Sequence, residues 1–308
     1  MALGNLGSRA IRARLFHDIT APRPEDWVTK LAGPVLDSDQ ESETYAGLGN
    51  IRGVSEWKGK RMPHDLRPVE YVLRNQKFSA ELTVYGDERR RNKTGQVERR
   101  IGQLTARVNQ HWQKLVANLL NNGATNLAYD GVAFYSNAHT ENGSANQTNI
   151  VAQGGGADPT AGAMEAGILN AVEVLLNLKD DVGEPINEDV TEFLVTVPIP
   201  LLSAAAAALG ADVIVDTAGA GGRTNVLNVL GGLNFTLAWT SRLTNAARAF
   251  VSVADGQALI RQDEFIEITS KAENSDYEHD NDAHEHGVLL SRGAGYGSWQ
   301  KSSQVTFS

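Results

Sequence analysis

The sequence predicts an α+β fold: one long helix, two alternating strand runs ahead of it, and a mixed region of strands and helices after it. Three observations carry this. Between Gln96 and Asn122, the residues Val97, Ile101, Leu104, Val108, Trp112, Leu115 and Leu119 recur at steps of three or four, the period of a helix buried along one face. Upstream, Val69, Tyr71 and Leu73, then Phe78, Ala80, Leu82 and Val84, recur at steps of two, the period of strands. Downstream, short apolar runs separated by turn residues alternate between the two periods.

Residues 1–46 read as an extended arm, because prolines at 22, 24 and 34 interrupt any long helix and Asp37–Glu43 is polar and acidic. Residues 47–67 are rich in Gly, Lys and Arg and have no helical period. With the alternating runs that follow, 47–85 reads as a long two-stranded excursion with a charged tip. An isolated hairpin is marginal in water, so this one must lie on something else. The helix at 96–122 would span about 40 Å at 1.5 Å per residue, and Asn121, Asn122 and Gly123 stop it. Residues 124–162 are turn-rich, the mark of a functional loop or an insertion. Met164–Leu178 returns to helical spacing. Phe193–Val197, Val213–Val215, Phe235–Trp239, Phe250–Val253 and Phe265–Thr269 read as strands, and Leu201–Leu209 as a helix. Residues 271–287 form an acidic, histidine-rich loop. Val288–Arg292 and Tyr296–Phe307 close the chain as strands, although the final KSSQVTFS is a polar ending with no assignable place. No repeat at a solenoid or propeller period is present.

A chain of 308 residues suggests about two domains. It has no cysteine, which excludes disulfides, thiolate metal sites and a cysteine nucleophile. The net charge of −9 is unevenly spread: residues 1–114 carry +6 and residues 115–308 carry −15. A globally acidic chain is a poor general DNA binder, whereas a basic half and an acidic half suit a subunit whose opposite faces meet. The basic N-terminus lacks the apolar core of a secretion signal. The uncharged stretches Phe193–Ala211 and Thr224–Ser241 carry prolines, asparagines and glycines, so they read as buried elements rather than membrane spans.

Catalytic signals are weak. His279, His284 and His286 lie among Asp276, Glu278, Asp280, Asp282 and Glu285, which resembles the start of a calcium loop. That pattern needs Gly at its sixth position and Glu at its twelfth, where this chain has Asn281 and Gly287. His284 and His286 could share one side of a strand as zinc ligands, but no H-E-x-x-H spacing is present. The glycine clusters at 154–156 and 219–222 lack the Gly-Lys-Ser/Thr ending of a phosphate loop, and Asp130 and His139 have no evident nucleophile. The reading is therefore of a non-enzyme without cofactor or metal.

Three stretches carry a family resemblance: TYAGLGNIRGVSEWKGKRMPHDLRPVEYVLRNQKFSAELTV, LLNNGATNLAYDGVAFYSNAH and GVLLSRGAGYGSWQ. In this order they resemble the Mu-like phage major head subunit, which has the HK97-like capsid fold, and the likeness covers most of residues 40–300. The resemblance implies an N-terminal arm at 1–46 and an extended loop at 47–75 that reaches over a neighbouring subunit. It implies a peripheral domain from 76–150 and 262–308 with the long helix as its spine, and an axial domain at 151–261 near the fivefold and sixfold axes. The 271–287 loop would lie near a threefold contact. Many proteins of the wider fold begin with a scaffolding segment that is later removed. Here the arm begins almost at once, which implies a separate scaffold or an already mature sequence.

The implied function is the major capsid protein of a tailed double-stranded DNA phage or prophage, assembled in the host bacterial cytoplasm into hexamers and pentamers of a virion shell. Implied partners are further copies of the chain, a scaffolding protein and portal during assembly, a decoration protein, and packaged DNA through weak non-specific contact, with no membrane. Trp57 in a polar loop, flanked by Glu56, Lys58, Lys60 and Arg61, is the candidate anchor between subunits. Arg89, Arg90 and Arg91, with Asp276, Glu278, Asp280, Asp282 and Glu285, are the candidate charged contacts, basic against acidic across adjacent copies. An encapsulin-like compartment of the same fold is the alternative, and a metal-dependent hydrolase built on the histidine loop is the reading from a different class.

Overall fold

The apolar period at 96–122 becomes one unbroken 27-residue helix in a computed structural model of the chain. The structure describes residues 8–21, 26–46, 59, 70–91, 95–140, 144–180, 183–215, 222–229 and 231–308. In chain order the elements are α1 (Ser8–Thr20), α2 (Trp27–Ala32), β1 (Leu36–Asp37), β2 (Ser42–Ala46), β3 (Glu70–Arg74), β4 (Gln76–Tyr85), α3 (Gly86–Arg90) and the long helix α4 (Gln96–Asn122). Then come β5 (Ile150–Gln153), α5 (Ala161–Leu176), β6 (Glu192–Pro198), α6 (Leu202–Gly210), β7 (Val213–Ile214), β8 (Arg223–Thr224), α7 (Val226–Val229) and β9 (Asn234–Thr240). The chain ends with β10 (Arg248–Val253), β11 (Leu259–Lys271), α8 (Asp276–Asn281), β12 (Ala283–Tyr296) and β13 (Ser302–Phe307).

Two sheets form around two apolar cores. A four-stranded sheet has the order β1-β11-β12-β4, and a five-stranded sheet has the order β5-β13-β10-β6-β9. The smaller core joins Ile11 and Leu15 of α1 to Val84, Val97, Ile101, Val108, Val288 and Leu290. The larger core holds Val116 and Leu120 of α4 with Met164, Ile168, Phe193, Phe250 and Trp299. Thus α4 bridges both cores. Its buried line runs through Val97, Ile101, Leu104, Val108, Val116 and Leu120. Leu115 and Leu119, which the spacing places on the inner face, are only half-buried. Steps of four overshoot a turn of 3.6 residues, so the stripe precesses around the helix as it passes from one core to the other.

Residues 1–46 are not an extended arm throughout. The prolines fence a helix rather than preventing one: 8–20 is proline-free, and Ile11 and Leu15, one turn apart, are both buried against α4 and the four-stranded sheet. The helix α2 follows, capped by Asp26, whose side chain accepts from the Thr29 N–H, and ended by Gly33 at φ 61°. A Cβ on Gly33 would stand 2.9 Å from the Gly256 carbonyl oxygen, so this turn needs glycine for both its sign of φ and its close approach.

The period-two runs are strands, but they are not partners in one excursion. β3 pairs antiparallel with β2, from Ala46↔Glu70 to Ser42↔Arg74, and β4 turns away to pair with β12 over ten positions. Asn75 is the pivot. Its buried amide donates to Ser38 Oγ at 3.0 Å and to the Gln40 carbonyl at 2.8 Å, and its oxygen accepts from Gln262.

Most of the acidic 271–287 stretch is not a loop. β11 runs on to Lys271, β12 begins at Ala283, and α8 turns between them, capped by Ser275. The final stretch is not one strand: a short 3₁₀ turn at Trp299–Lys301 interrupts it. The polar tail is then the second strand of the five-stranded sheet. β13 pairs antiparallel with β10 and parallel with β5, so residues 302–307 lie with 150–253 rather than with the 262–296 hairpin. Ser302 is fully buried because its hydroxyl meets Ser252 Oγ at 2.8 Å and Tyr135 Oη at 2.9 Å.

Candidate interaction surfaces

The two long strands β11 and β12 carry the acidic tip to one end of the four-stranded sheet, beside α3. There Asp282 takes the left-handed conformation at φ 45°, and its carbonyl accepts from the Gly86 N–H. This brings two predicted contact groups together within a single chain. Arg90 Nη2 lies 2.7 Å from Asp282 and 3.0 Å from Asp87. The hydrogen bond from Arg90 lowers the Asp87 pKa below the usual carboxylate range. Glu278 bonds His284 at 2.7 Å and Glu285 lies 3.5 Å from Lys271. Arg91, Asp276 and Asp280 are exposed. Glu56, Trp57, Lys58, Lys60 and Arg61 lie outside the described residues, as does the side chain of Arg89. The basic and acidic runs that suggested contacts between copies thus partly meet inside one copy, at a solvent-exposed site where such pairs are screened by salt.

The histidines are held by the hairpin. His284 and His286 share the buried face of β12, with ring centroids 6.3 Å apart. His284 Nε2 is committed to Glu278, and His286 Nδ1 lies 3.1 Å from Ser270 Oγ on β11. Among the described residues, no group of three His, Cys, Asp or Glu side chains is placed to hold a metal ion.

His286 also faces Glu273 beyond β11 and Arg12 on α1. Burial, more than the nearby His284 charge, lowers its pKa to about 4. Burial likewise lowers His111 to about 4, helped by Arg292, Lys114 and Arg242. The unfolded chain, with His near 6.5, takes up these protons first. The contribution of these two histidines to stability is therefore complete above about pH 6.5 and is lost as pH falls toward 4. Melting temperatures at pH 7 and pH 5 should differ, and His286→Gln should shrink that difference. An unchanged difference would show that His286 is not one of the groups responsible.

Asp130 and His139 do meet, but not as a catalytic pair. His139 is fully buried, with Nδ1 2.6 Å from the Asp130 carboxylate and Nε2 3.2 Å from the Phe134 carbonyl oxygen. Its ring lies flat on Trp299 at 4.0 Å. Both ring nitrogens face acceptors, leaving neither to serve a substrate as base.

A second surface escaped the sequence reading. Residues 211–215 and 222–229 form a small lobe at the end of α6. Buried Asn225 builds it, donating to the carbonyls of Ala208 and Ala211 at 2.7 and 2.6 Å. Glu165 of α5, itself buried, accepts from the Val226 N–H at 2.7 Å and pairs with Arg223. The lobe buries Ile214 and Leu227 yet presents Val213, Val215, Val226 and Val229 at 43–67% exposure. Val213–Ile214–Val215 is thus apolar on both faces while only one face is covered. An unbroken apolar run reads as a fully buried strand, so the sequence alone did not mark the bare face.

Against known proteins, the family model described as Mu-like prophage major head subunit gpT matches residues 16–164. The Mu-like prophage FluMu major head subunit of Haemophilus influenzae is 26% identical over 164 residues, which is 53% of this chain and 53% of that protein. The major capsid protein of Escherichia phage Mu is 28% identical over 126 residues, 39% of this chain and 41% of that protein. The matched stretch spans about half the length of these curated relatives, or less. Among solved structures, the procapsid of bacteriophage JBD30 superposes with a TM-score of 0.55 at 18% identity, covering 97% of this chain and 73% of that one. The fold is that of the HK97-like phage capsid proteins, an α+β architecture.

Proposed function

We propose that this chain, which belongs through residues 16–164 to the Mu-like prophage major head subunit family, is the major capsid protein of a tailed phage or prophage. The observation that carries the reading is the agreement of that family match with a capsid fold extending over 97% of the chain. The protein assembles with further copies of itself into the hexamers and pentamers of an icosahedral shell, and it performs no catalysis. A scaffolding protein and portal act with it during assembly in the host cytoplasm, and the packaged DNA meets the wall only through weak, non-specific contact, which suits a net charge of −9.

The physical fit lies in the division of labour along the chain. A shell needs contacts that are not self-complementary, so that copies close into rings and then into a surface. The rigid helix α4, anchored in both cores, gives each subunit a fixed frame. The β2–β3 base offers residues 47–69 as the segment that reaches over a neighbour. The valine lobe of 211–215 and 222–229 suits the ring contacts around the symmetry axes. The acidic tip at 271–287 lies at the far end of the hairpin, where a threefold contact would form. Expression of the chain followed by electron micrography tests the reading: closed shells are expected, and dispersed monomers with native spectra would refute it.

Trp57 is the anchor of the reaching segment. Trp57→Ala should leave capsomers intact but lower the melting temperature of assembled shells, since a central tryptophan commonly contributes about 2 kcal/mol or more to an interface. Charge reversal at Lys58, Lys60 and Arg61 should weaken shells further at low salt. Variant particles as heat-stable as the parent would remove this segment from the interface.

A further inference from the structure

The two sides of the four-stranded sheet differ in charge. On one side lie α1 and α4, packed over Phe78, Ala80, Leu82, Ile266 and Ile268. The alternate positions of β4, β11 and β12 face the other way, and there Lys77 and Lys271 stand among Glu81, Glu267 and Glu285. The helix layer has the opposite sign. Gln103, Arg107, Gln110 and Lys114, at steps of four, three and four, share one exposed line of α4 about 17 Å long. Every side chain on this line can donate a hydrogen bond, and none is acidic. Beside it α1 exposes Arg9, Arg12 and Arg14, the last paired with half-buried Asp18 at 3.5 Å. Among the described residues, no exposed position of α1 or α4 is Asp or Glu, in a chain whose net charge is −9.

We infer that this helix layer is the face each subunit turns toward the packaged duplex, and that the line from Gln103 to Lys114 touches its phosphates. The inference deepens the capsid reading and rests on it, naming which side of the subunit looks inward and which residues meet the genome there. Charge selects the occupant. Duplex DNA carries one negative charge per about 1.7 Å of axis. A wall with the sheet side inward would set Glu81, Glu267 and Glu285 against it, whereas the helix layer sets donors and cations. The residue types fit as well. Arg, Lys and Gln side chains bond phosphate oxygens without reading base identity, so one surface serves any packaged sequence. The line carries only two full charges, Arg107 and Lys114, at exposed positions where salt screens them. Such a contact lets DNA pack close to the wall and still leave it.

The chain has no cysteine, so Ala106→Cys, at an exposed position of α4, supplies a single thiol. Closed, empty particles are treated with a small maleimide and, separately, with a maleimide on a polymer too large to cross the wall. Reaction with the small reagent alone is expected. Reaction with both would put α4 on the outer surface, and reaction with neither would put it beneath another copy. Either result overturns the inference and leaves the capsid reading standing. The phosphate contact is measured on the unassembled full-length chain, by anisotropy of a short labelled duplex across a salt series. Arg107→Gln with Lys114→Gln removes two charges, so the slope of log K against log salt should become shallower by about 1.8. Lys77→Gln with Lys271→Gln removes two charges from the sheet side and should leave the slope unchanged. Equal changes from the two double variants, or no binding by the parent chain at low salt, would overturn the inference. A parent chain that forms no closed particles would overturn the capsid reading, and this inference with it.

Discussion

Replacing Asn149 with alanine is expected to cost about 3–4 kcal/mol and to leave little soluble protein. The side chain is fully buried and bonds in both directions. Its amide donates to the Phe134 carbonyl at 2.7 Å and is shared by the carbonyls of Ser302 at 3.2 Å and Trp299 at 3.3 Å. Its oxygen accepts from the Ser136 N–H at 2.9 Å. These partners lie in two segments distant in sequence, the turn-rich 124–149 stretch and the turn that starts β13. Alanine would take this partner from the Ser136 N–H and from the Ser302 and Trp299 carbonyls, while the Phe134 carbonyl keeps His139; each lost buried bond is worth about 1–3 kcal/mol, not fully additively. The loss falls where the chain closes, because β13 pairs with both β5 and β10. Urea unfolding measures it, with Asn146→Ala, at an exposed position, as the neutral control. A midpoint for Asn149→Ala within error of the parent would mean that water or a shifted backbone satisfies the site.

The residues that could be read from sequence are those whose neighbours are local. The helix at 96–122 was legible to its last residue because its buried face repeats every turn. The helical spacing at 164–178, the strands at 193–197, 235–239 and 250–253, and the helix at 201–209 were legible for the same reason. What could not be read was pairing. Period two marks β3 and β4 as strands but does not say that β3 joins β2 while β4 joins β12. The polarity of Ser302 and Ser303 argued against a core strand, and only the distant hydroxyls of Ser252 and Tyr135 make Ser302 acceptable there. Composition misled at 271–287, because the charged α8 turn and Glu285 hid the buried His284 and His286 at the start of β12. The charge asymmetry between the two halves of the chain was real, but part of it is settled within one subunit, in the Arg90–Asp282 pair. The valine lobe was missed for the converse reason: an apolar strand reads as core unless something shows that one face is bare.

Placing a carboxylate on that bare face should abolish shells while sparing the subunit. Val215 and Val229 are 58% and 67% exposed, so Val215→Asp and Val229→Asp remove little from the subunit's own core. The lobe's internal supports are elsewhere, in Asn225, in the Glu165–Arg223 pair and in buried Ile214 and Leu227. Thermal unfolding of the isolated variant should therefore stay within a few degrees of the parent subunit. At a contact between copies the same carboxylate would be taken out of water without a partner, at a cost of several kcal/mol. In a ring each subunit meets two neighbours, so every contact around the axis carries the penalty, and weak contacts that only jointly close a ring would fail together. The expected result is folded monomers by sedimentation and no particles in micrographs. Val215→Thr, which keeps the branched shape without a charge, should assemble. Shells of normal yield from both aspartate variants would show that the lobe faces solvent in the particle and that the ring contacts lie on another surface.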